Sequence, residues 1–331
     1  MPRVRGSVLL ACVALVLGAC DRTPRDATAP TGGTPAQATP KPLVVGFSQI
    51  GAEGAWRTAN SESIRGEAGA RGIRLVFSDA QQKQENQIKA LRSFIAQDVD
   101  VIVLAPVIET GWEPVLREVK AAGIPVILTD RSVQVSDESL FVTFIGADFV
   151  DEGRRAADWL IKASNGSAVI AELQGTPGSA PAIDRKKGFG EAIAPHAGMR
   201  IVLSQSGDFN RAKGKEVMEA LLKTPEGRAI TAVYAHNDDM ALGAIQAIEE
   251  SGRRPGRDVL MVSIDAVRGA FEAMAAGTLN CTVECTPLIG PLVFDTVQAV
   301  AEGRTVPRRI PTPGAVYEQP QAAELLPGRK Y

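Results

Sequence analysis

Histidine is scarce in this 331-residue sequence: His196 and His236 are the two it has. That leaves little room for acid–base catalysis built on imidazole. Signature motifs of enzymes are missing as well. No G-x-S-x-G, G-x-x-x-x-G-K-[ST] or H-E-x-x-H occurs, and the glycine-containing loop Gly46–Gly54 does not match G-x-G-x-x-G. A dinucleotide site and the common hydrolase and phosphate-binding sites are thereby disfavoured. Charge of one sign is also lacking, since the formal net charge is −2 and no basic arm or stripe stands out, which argues against nucleic acid as a partner.

Cysteine is sparse too. Of the four, Cys12 and Cys20 lie at the N-terminus, leaving Cys281 and Cys285. Four residues apart on an extended strand is about 13 Å, beyond the roughly 7 Å Cα separation a disulfide tolerates. No histidine or further cysteine stands at metal-binding spacing from the pair, so both read as small buried hydrophobes and no metal or cofactor is expected.

The N-terminus has the three parts of an export signal. Arg3 and Arg5 form a basic region, and Val8–Leu17 forms an apolar core of signal-peptide length, shorter than the roughly 20 residues of a bilayer span. The segment ends in Leu17-Gly18-Ala19-Cys20, which resembles the lipobox of bacterial lipoproteins. That resemblance implies removal of residues 1–19 and a lipid on Cys20. Asp21 directly after the cysteine implies retention at the inner membrane in a Gram-negative host. Residues 20–42, rich in Thr, Pro, Gly and Ala without apolar periodicity, read as a flexible tether.

From Leu43 onward, a chain long enough for two domains alternates apolar strands with amphipathic helices. Leu43–Ser48, Ile73–Ser78, Val101–Ala105 and Ile124–Thr129 form one set of strands; Ala168–Leu173, Arg200–Ser204, Ile230–Ala235 and Val259–Ile264 form a second. Between them, Ile88, Leu91, Phe94 and Ile95 share a helical face, as do Met240, Ala244, Ile245 and Ile248. Thr110–Ala122 has Pro114 in its first turn and Gly123 as a stop, and Gly252 closes the later helix in the same way. Such alternation predicts parallel sheets made of right-handed βαβ units, and two equal sets predict two similar α/β lobes.

Ligands of open α/β sheets sit beyond the carboxyl ends of the strands, so the residues there are the candidates. The stretch IPVILTDRS ends its strand in Asp130 and Arg131, a carboxylate beside a guanidinium, suited to hydrogen-bonding a small polyhydroxylated molecule. A solvated ion pair is the competing explanation. Asn237 follows the strand ending at Ala235, and Asp265 follows the one ending at Ile264. Either Asn237 or Asp238 can instead cap the next helix, and Asp265 can do the same. Trp56 and Arg57 open the first helix; Trp56 could be core, but an adjacent arginine suits a cleft rim better. His236 with Asp238 and Asp239 lacks the pattern of a calcium loop and reads as helix capping.

Several blocks resemble bacterial periplasmic sugar-binding proteins of the ribose-binding type: VVGFSQIGAEGAWR, DAQQKQENQIKALRSFIAQ, APVIETGWEPVL, ELQGTPGSAPAIDRKKGF, SQSGDFNRAKGKEVME and AHNDDMALGAIQAI, with IPVILTDRS. The galactofuranose-binding branch is the most similar, and the resemblance spans about Leu43 to Pro313. It implies two doubly wound lobes joined by three crossing strands (periplasmic binding protein type I), with 43–146 plus 286–314 as lobe 1 and 147–285 plus 315–331 as lobe 2. It implies a monosaccharide between them, contacted by Trp56, Arg57, Asp130, Arg131, Arg185, Phe209, Asn237 and Asp265. The expected partner is the permease of an ABC importer, and the expected state is a monomer on the periplasmic side of the membrane. Cys285 stands where ribose binders have a sugar-contacting glutamine, and Ala105 where they have an asparagine. A ribopyranose is therefore disfavoured, and Glu284, on the other strand face, is no evident substitute.

Three rival functions frame the expectation. A repressor's effector domain would need an N-terminal helix-turn-helix, where this chain has its signal segment. A sugar-sensing lipoprotein presenting ligand to a membrane kinase or chemoreceptor fits the same sequence. A sugar-processing enzyme would need the catalytic constellation that is missing.

Overall fold

The computed structural model describes residues 42–331; the signal segment, the lipobox cysteine Cys20 and the tether as far as residue 41 lie outside the described residues. The first half runs β1 (Val44–Gln49), α1 (Ala55–Ala70), β2 (Arg74–Asp79), α2 (Gln84–Ala96), β3 (Val101–Leu104), α3 (Glu113–Ala121), β4 (Val126–Thr129) and β5 (Thr143–Gly146). The second begins α4 (Phe149–Ala163), β6 (Ser167–Gln174), α5 (Ala180–Ile193), β7 (Gly198–Ser206), α6 (Arg211–Leu222) and α7 (Pro225–Arg228). It continues β8 (Ala232–Ala235), α8 (Asp238–Glu250), β9 (Leu260–Asp265), α9 (Arg268–Ala276) and β10 (Cys281–Glu284). The chain returns as α10 (Gly290–Ala301), β11 (Arg309–Pro311), β12 (Val316–Glu318) and α11 (Ala322–Leu325).

Two six-stranded sheets result, ordered β11-β5-β4-β3-β1-β2 and β12-β10-β9-β8-β6-β7. Each lobe is doubly wound, and the uninterrupted apolar runs explain why. In β3 and β4, Ile102, Leu104, Val126 and Leu128 join one apolar cluster while Val101, Val103 and Ile127 join another, so alternate residues bury opposite faces. The first cluster is closed by Leu91 and Phe94 of α2, the second by Ile64 of α1 and Phe294 of α10.

The sheets hold more strands than the two sets of four expected from the sequence. The additions are β5, β10, β11 and β12, of three or four residues each, too short to show periodicity. They are also where the chain passes between lobes: after β5, after β10, and between β11 and β12. β12 is the exception to parallel pairing, lying antiparallel to β10. β10 carries the chain out of the second lobe and β12 carries it back in, so the two must run in opposite senses.

Candidate functional site

Every strand that carries a candidate ends at the same crevice. A cavity with about 360 Å³ of atom-free space lies between the lobes. Glu53, Gly54, Trp56, Arg57, Asp130 and Arg131 line it from the first lobe; Pro181, Arg185, Phe209, Asn237 and Asp265 line it from the second, and Cys285 from the second crossing. All eight residues expected at a sugar site thus meet at one cavity, and each is 3–7% exposed.

The first-lobe wall is an ion cluster. Arg57 donates through Nε to Glu53 (2.9 Å), and its Nη1 lies 2.7 Å from Asp130 Oδ2 and bonds Gln49 Oε1 at 3.3 Å. Gln49 is fixed in turn by Asn60 and Ser61. Arg131 donates to the Val107 carbonyl (2.9 Å) and lies 3.8 Å from Asp130 and 3.9 Å from Glu53. Burial alone would raise the Glu53 carboxyl, but Arg57 and Arg131 outweigh it and hold the group below the usual carboxylate range. Burial, with Arg57 alongside, lowers Arg131 to about 10. Glu53 Oε2 and Arg131 Nε are buried without a hydrogen-bond partner and Asp130 Oδ2 is met by Arg57 Nη1, so this wall presents acceptors and a donor.

The second-lobe wall hangs on Arg185. Its Nε donates to Glu152 Oε2 (2.9 Å), Nη1 donates to the His236 carbonyl (2.6 Å), and Nη2 lies 3.7 Å from Asp265 Oδ1. Glu152 reaches Arg185 because α4 and α5 touch backbone to backbone. A side chain at Gly153 would collide with the Arg185 carbonyl, and one at Gly188 with that of Val150. Burial raises both Asp265 and Glu152 despite Arg185. Below the wall, His236 Nε2 meets Glu172 Oε1 at 3.1 Å and its Nδ1 faces the Gly175 N–H, which suits a neutral ring donating to Glu172. Burial lowers the His236 pKa, in keeping with that tautomer.

Two aromatics complete the enclosure. Trp56 packs into the second lobe's apolar cluster and donates from Nε1 to the Cys285 carbonyl (2.5 Å). Phe209 lies 5.2 Å from the Arg131 guanidinium and 5.9 Å from that of Arg185. Asp130, Phe209 and Asp265 hold φ of 64°, 58° and 125°, conformations that cost on the order of 1–3 kcal/mol each and concentrate at ligand clamps.

The capping alternatives resolve by geometry. Asn237 is the N-cap of α8: its Oδ1 accepts from Met240 N, while Nδ2 donates to the Phe209 carbonyl. Asp238 does not cap α8; its buried carboxyl accepts from Ser263, Thr282 and Val267 N. Asp265 caps nothing, since α9 starts after Val267 without a side-chain cap. Glu284 lies outside the cavity and accepts from Tyr317, Tyr331 and Arg329. Glu53 and Pro181 were not anticipated. The i, i+4 spacing of Glu53 to Arg57 was the available signal for the former; nothing pointed to Pro181.

Two lobes, the crossings that join them and a cavity lined from both lobes define a hinged binding protein. A family model described as a periplasmic binding protein domain matches residues 45–305, and the chain belongs to that family. Its relatives include import binding proteins for sugars. It is 51% identical over 292 residues to the galactofuranose-binding protein YtfQ of Escherichia coli, covering 87% of this chain and 92% of that protein. It is 31% identical to the ribose import binding protein RbsB of Bacillus subtilis, covering 93% and 96%. Among solved structures, the binding component of the arabinose ABC transporter from Shewanella sp. ANA-3, bound to α- and β-L-arabinofuranose, is similar with a TM-score of 0.85 and 53% identity over 87% of this chain and 96% of that one.

Proposed function

We propose that the protein is the non-enzymatic receptor of an ABC sugar importer. It takes a monosaccharide in furanose form, galactofuranose favoured, between two lobes that close on it. The observation that carries this reading is the convergence of both lobes on one small cavity lined by arginines, carboxyls and two aromatics. Asp130, Arg131, Arg185, Asn237 and Asp265 exchange charge-assisted hydrogen bonds with ring hydroxyls, Arg57 completes the first-lobe wall, and Trp56 and Phe209 cover apolar C–H faces. The moving bodies are 43–146 with 286–314 and 147–285 with 315–331. A ligand touching both favours the closed arrangement, which a membrane permease then reads. Two relatives described as handling galactofuranose and arabinofuranose support the ring form. So does Cys285, which stands at the cavity where a ribose binder has an amide.

The receptor acts as a monomer, held on the periplasmic side of the membrane by lipid on Cys20. The sequence LGAC supports the anchor, and among the described residues no helix is long and apolar enough to cross a membrane. Cys20→Ser should release the protein or leave its precursor uncleaved; a processed, lipid-labelled mutant would contradict the anchor. Calorimetric titration with D-galactose and L-arabinose tests the ligand. Binding is expected to be weakened in appearance by the minor furanose fraction of each solution. Tight stoichiometric binding of ribose would overturn the sugar assignment, and failure of every pentose and hexose to bind would overturn the receptor.

A further inference from the structure

Helix α1 carries Trp56 and Arg57 to the cavity, yet its own lobe gives its N-terminus no cap. The N-cap residue is Gly54, no side chain accepts from the first turn within α1, and the first turn has no acidic residue. The first four N–H groups of a helix need partners, and its positive end favours a carboxylate. The partner comes from across the cleft: Asp239 of α8 accepts from Ala55 N through Oδ2 at 2.8 Å. Its other oxygen, Oδ1, is held by Arg211 of α6, 3.2 Å from Nε and 3.1 Å from Nη2. Gly54 is extended, with φ −163°, a conformation open to any residue, so the need for glycine here is spatial. A Cβ at this position would collide with Asp239 Oδ2. Asp239 is 5% exposed and does not line the cavity.

We infer that Asp239 is a positioning residue for ligand capture: the second lobe supplies the cap that the first-lobe helix lacks, so closing the cleft completes α1 and sets Trp56 and Arg57 against the ligand. The inference rests on the receptor reading. Of the other bonds between the lobes, Glu109 N to the Gly178 carbonyl at 3.0 Å joins backbone to backbone and does not depend on side-chain identity, and Trp56 Nε1 to the Cys285 carbonyl is made at the crossing. The side-chain latch therefore sits on the flank that bears two of the binding residues. In the open arrangement the Ala55 N–H and the Asp239 carboxylate are hydrated separately, so the latch adds to the stability of the closed form alone.

The test compares wild type, Asp239→Ala and Arg211→Ala by stopped-flow binding of L-arabinose and D-galactose, with thermal unfolding of the sugar-free proteins alongside. Asp239→Ala should weaken binding roughly three- to thirtyfold, the range for losing a helix cap. The loss should appear in a faster dissociation rate with association unchanged, and sugar-free unfolding should stay at the wild-type temperature. Arg211→Ala, which frees the carboxylate from its own lobe, should shift dissociation in the same direction by less. Wild-type dissociation in Asp239→Ala overturns the latch and leaves the receptor intact. So does a loss matched by lower sugar-free stability, which marks a structural role within the second lobe. If Asp239→Ala does not fold, wild-type dissociation in Arg211→Ala overturns the latch. Failure of the wild type to bind either sugar overturns the receptor reading and the latch with it.

Discussion

The two walls of the cavity are built from the same residue types in different proportions. The first lobe sets two arginines, Arg57 and Arg131, against two carboxyls, Glu53 and Asp130. The second sets one arginine, Arg185, against Glu152 and Asp265. The consequence is visible in the acids: Glu53 is held low, whereas Glu152 and Asp265 are pushed up by burial that a single guanidinium does not offset. A cluster with two cations still has one beside its carboxyls when the other is removed. A cluster with one hub does not.

The largest effect that could break this comparison is on stability. Arg185→Met leaves Glu152 and Asp265 buried without a cation and strands the His236 carbonyl. It should destabilise the protein by about 3–5 kcal/mol, the usual consequence of orphaning a buried charge. Arg57→Met should cost less, because Arg131 remains within 4 Å of both Glu53 and Asp130. Urea unfolding of the two mutants decides it. Equal losses would mean that the first-lobe arginines act separately.

Ligand affinity comes next. Asp130→Ala and Asp265→Ala each remove one side of a buried, charge-assisted contact, worth on the order of 1–3 kcal/mol, or roughly five- to a hundred-and-fiftyfold in affinity. Both residues end strands and fill no core, so the fold should persist in each. Asp265→Ala should retain more of the stability of the empty protein, since it relieves an excess of acid, while Asp130→Ala breaks the balanced cluster. Calorimetric titration paired with thermal unfolding separates the two readouts. A fold-neutral Asp265→Ala with wild-type affinity would remove that residue from the site.

Much of this contrast was legible before the structure. Strands covered on both faces declare themselves as apolar runs, and the abrupt change to Asp130-Arg131 or Asn237 marks where they meet solvent or a ligand. What the sequence did not disclose was of two kinds. The crossing strands are short, and β11 and β12 pair with strands far away in the chain, so no local pattern marks them. Glu152 lies in the first turn of α4, inside an ordinary run of charges, and is drawn to Arg185 by the close contact of α4 and α5, a tertiary fact. Glu53 falls in a loop without periodicity, where only its spacing to Arg57 could have singled it out.

The pH dependence should differ in sign between the lobes. Glu53 has a folded pKa below its unfolded one; its contribution is present above the ordinary carboxylate value and is lost as pH falls through the depressed value. Asp238, behind Asp265 in the second lobe, is pushed up from 3.8 to about 7, mainly by burial and against bonds from Ser263, Val267 and Thr282. The folded state then keeps a proton that the unfolded chain releases. Its contribution is full below pH 3.8 and is lost as pH rises to about 7. Relative to wild type, Asp238→Asn should gain stability progressively across that window, and Glu53→Gln should lose less stability in acid. Melting temperatures from pH 3 to 8, about the span of both carboxyl ranges, give the difference curves. A flat curve for Asp238→Asn would show that its carboxyl does not titrate there.

The smallest effect belongs to neither wall. Cys285 lies at the second crossing, and what it gives the site is mainly its backbone: its carbonyl accepts from Trp56 Nε1. The thiol is buried, its pKa pushed far above the ordinary value chiefly by that burial and then by Glu152, so it stays neutral. A neutral thiol is a weak donor and a weak acceptor. Cys285→Ala keeps the Trp56 bond and removes one sulfur, so sugar affinity should change by less than roughly threefold, under about 0.7 kcal/mol. Cys285→Gln sharpens the point. An amide there adds donors and an acceptor and fills more of the cavity than the thiol does, so it should weaken binding of a furanose through lost space. If Cys285→Ala instead cost tenfold or more, the thiol would be a ligand contact in its own right. The crossing would then have to be counted with the two walls as a third source of specificity.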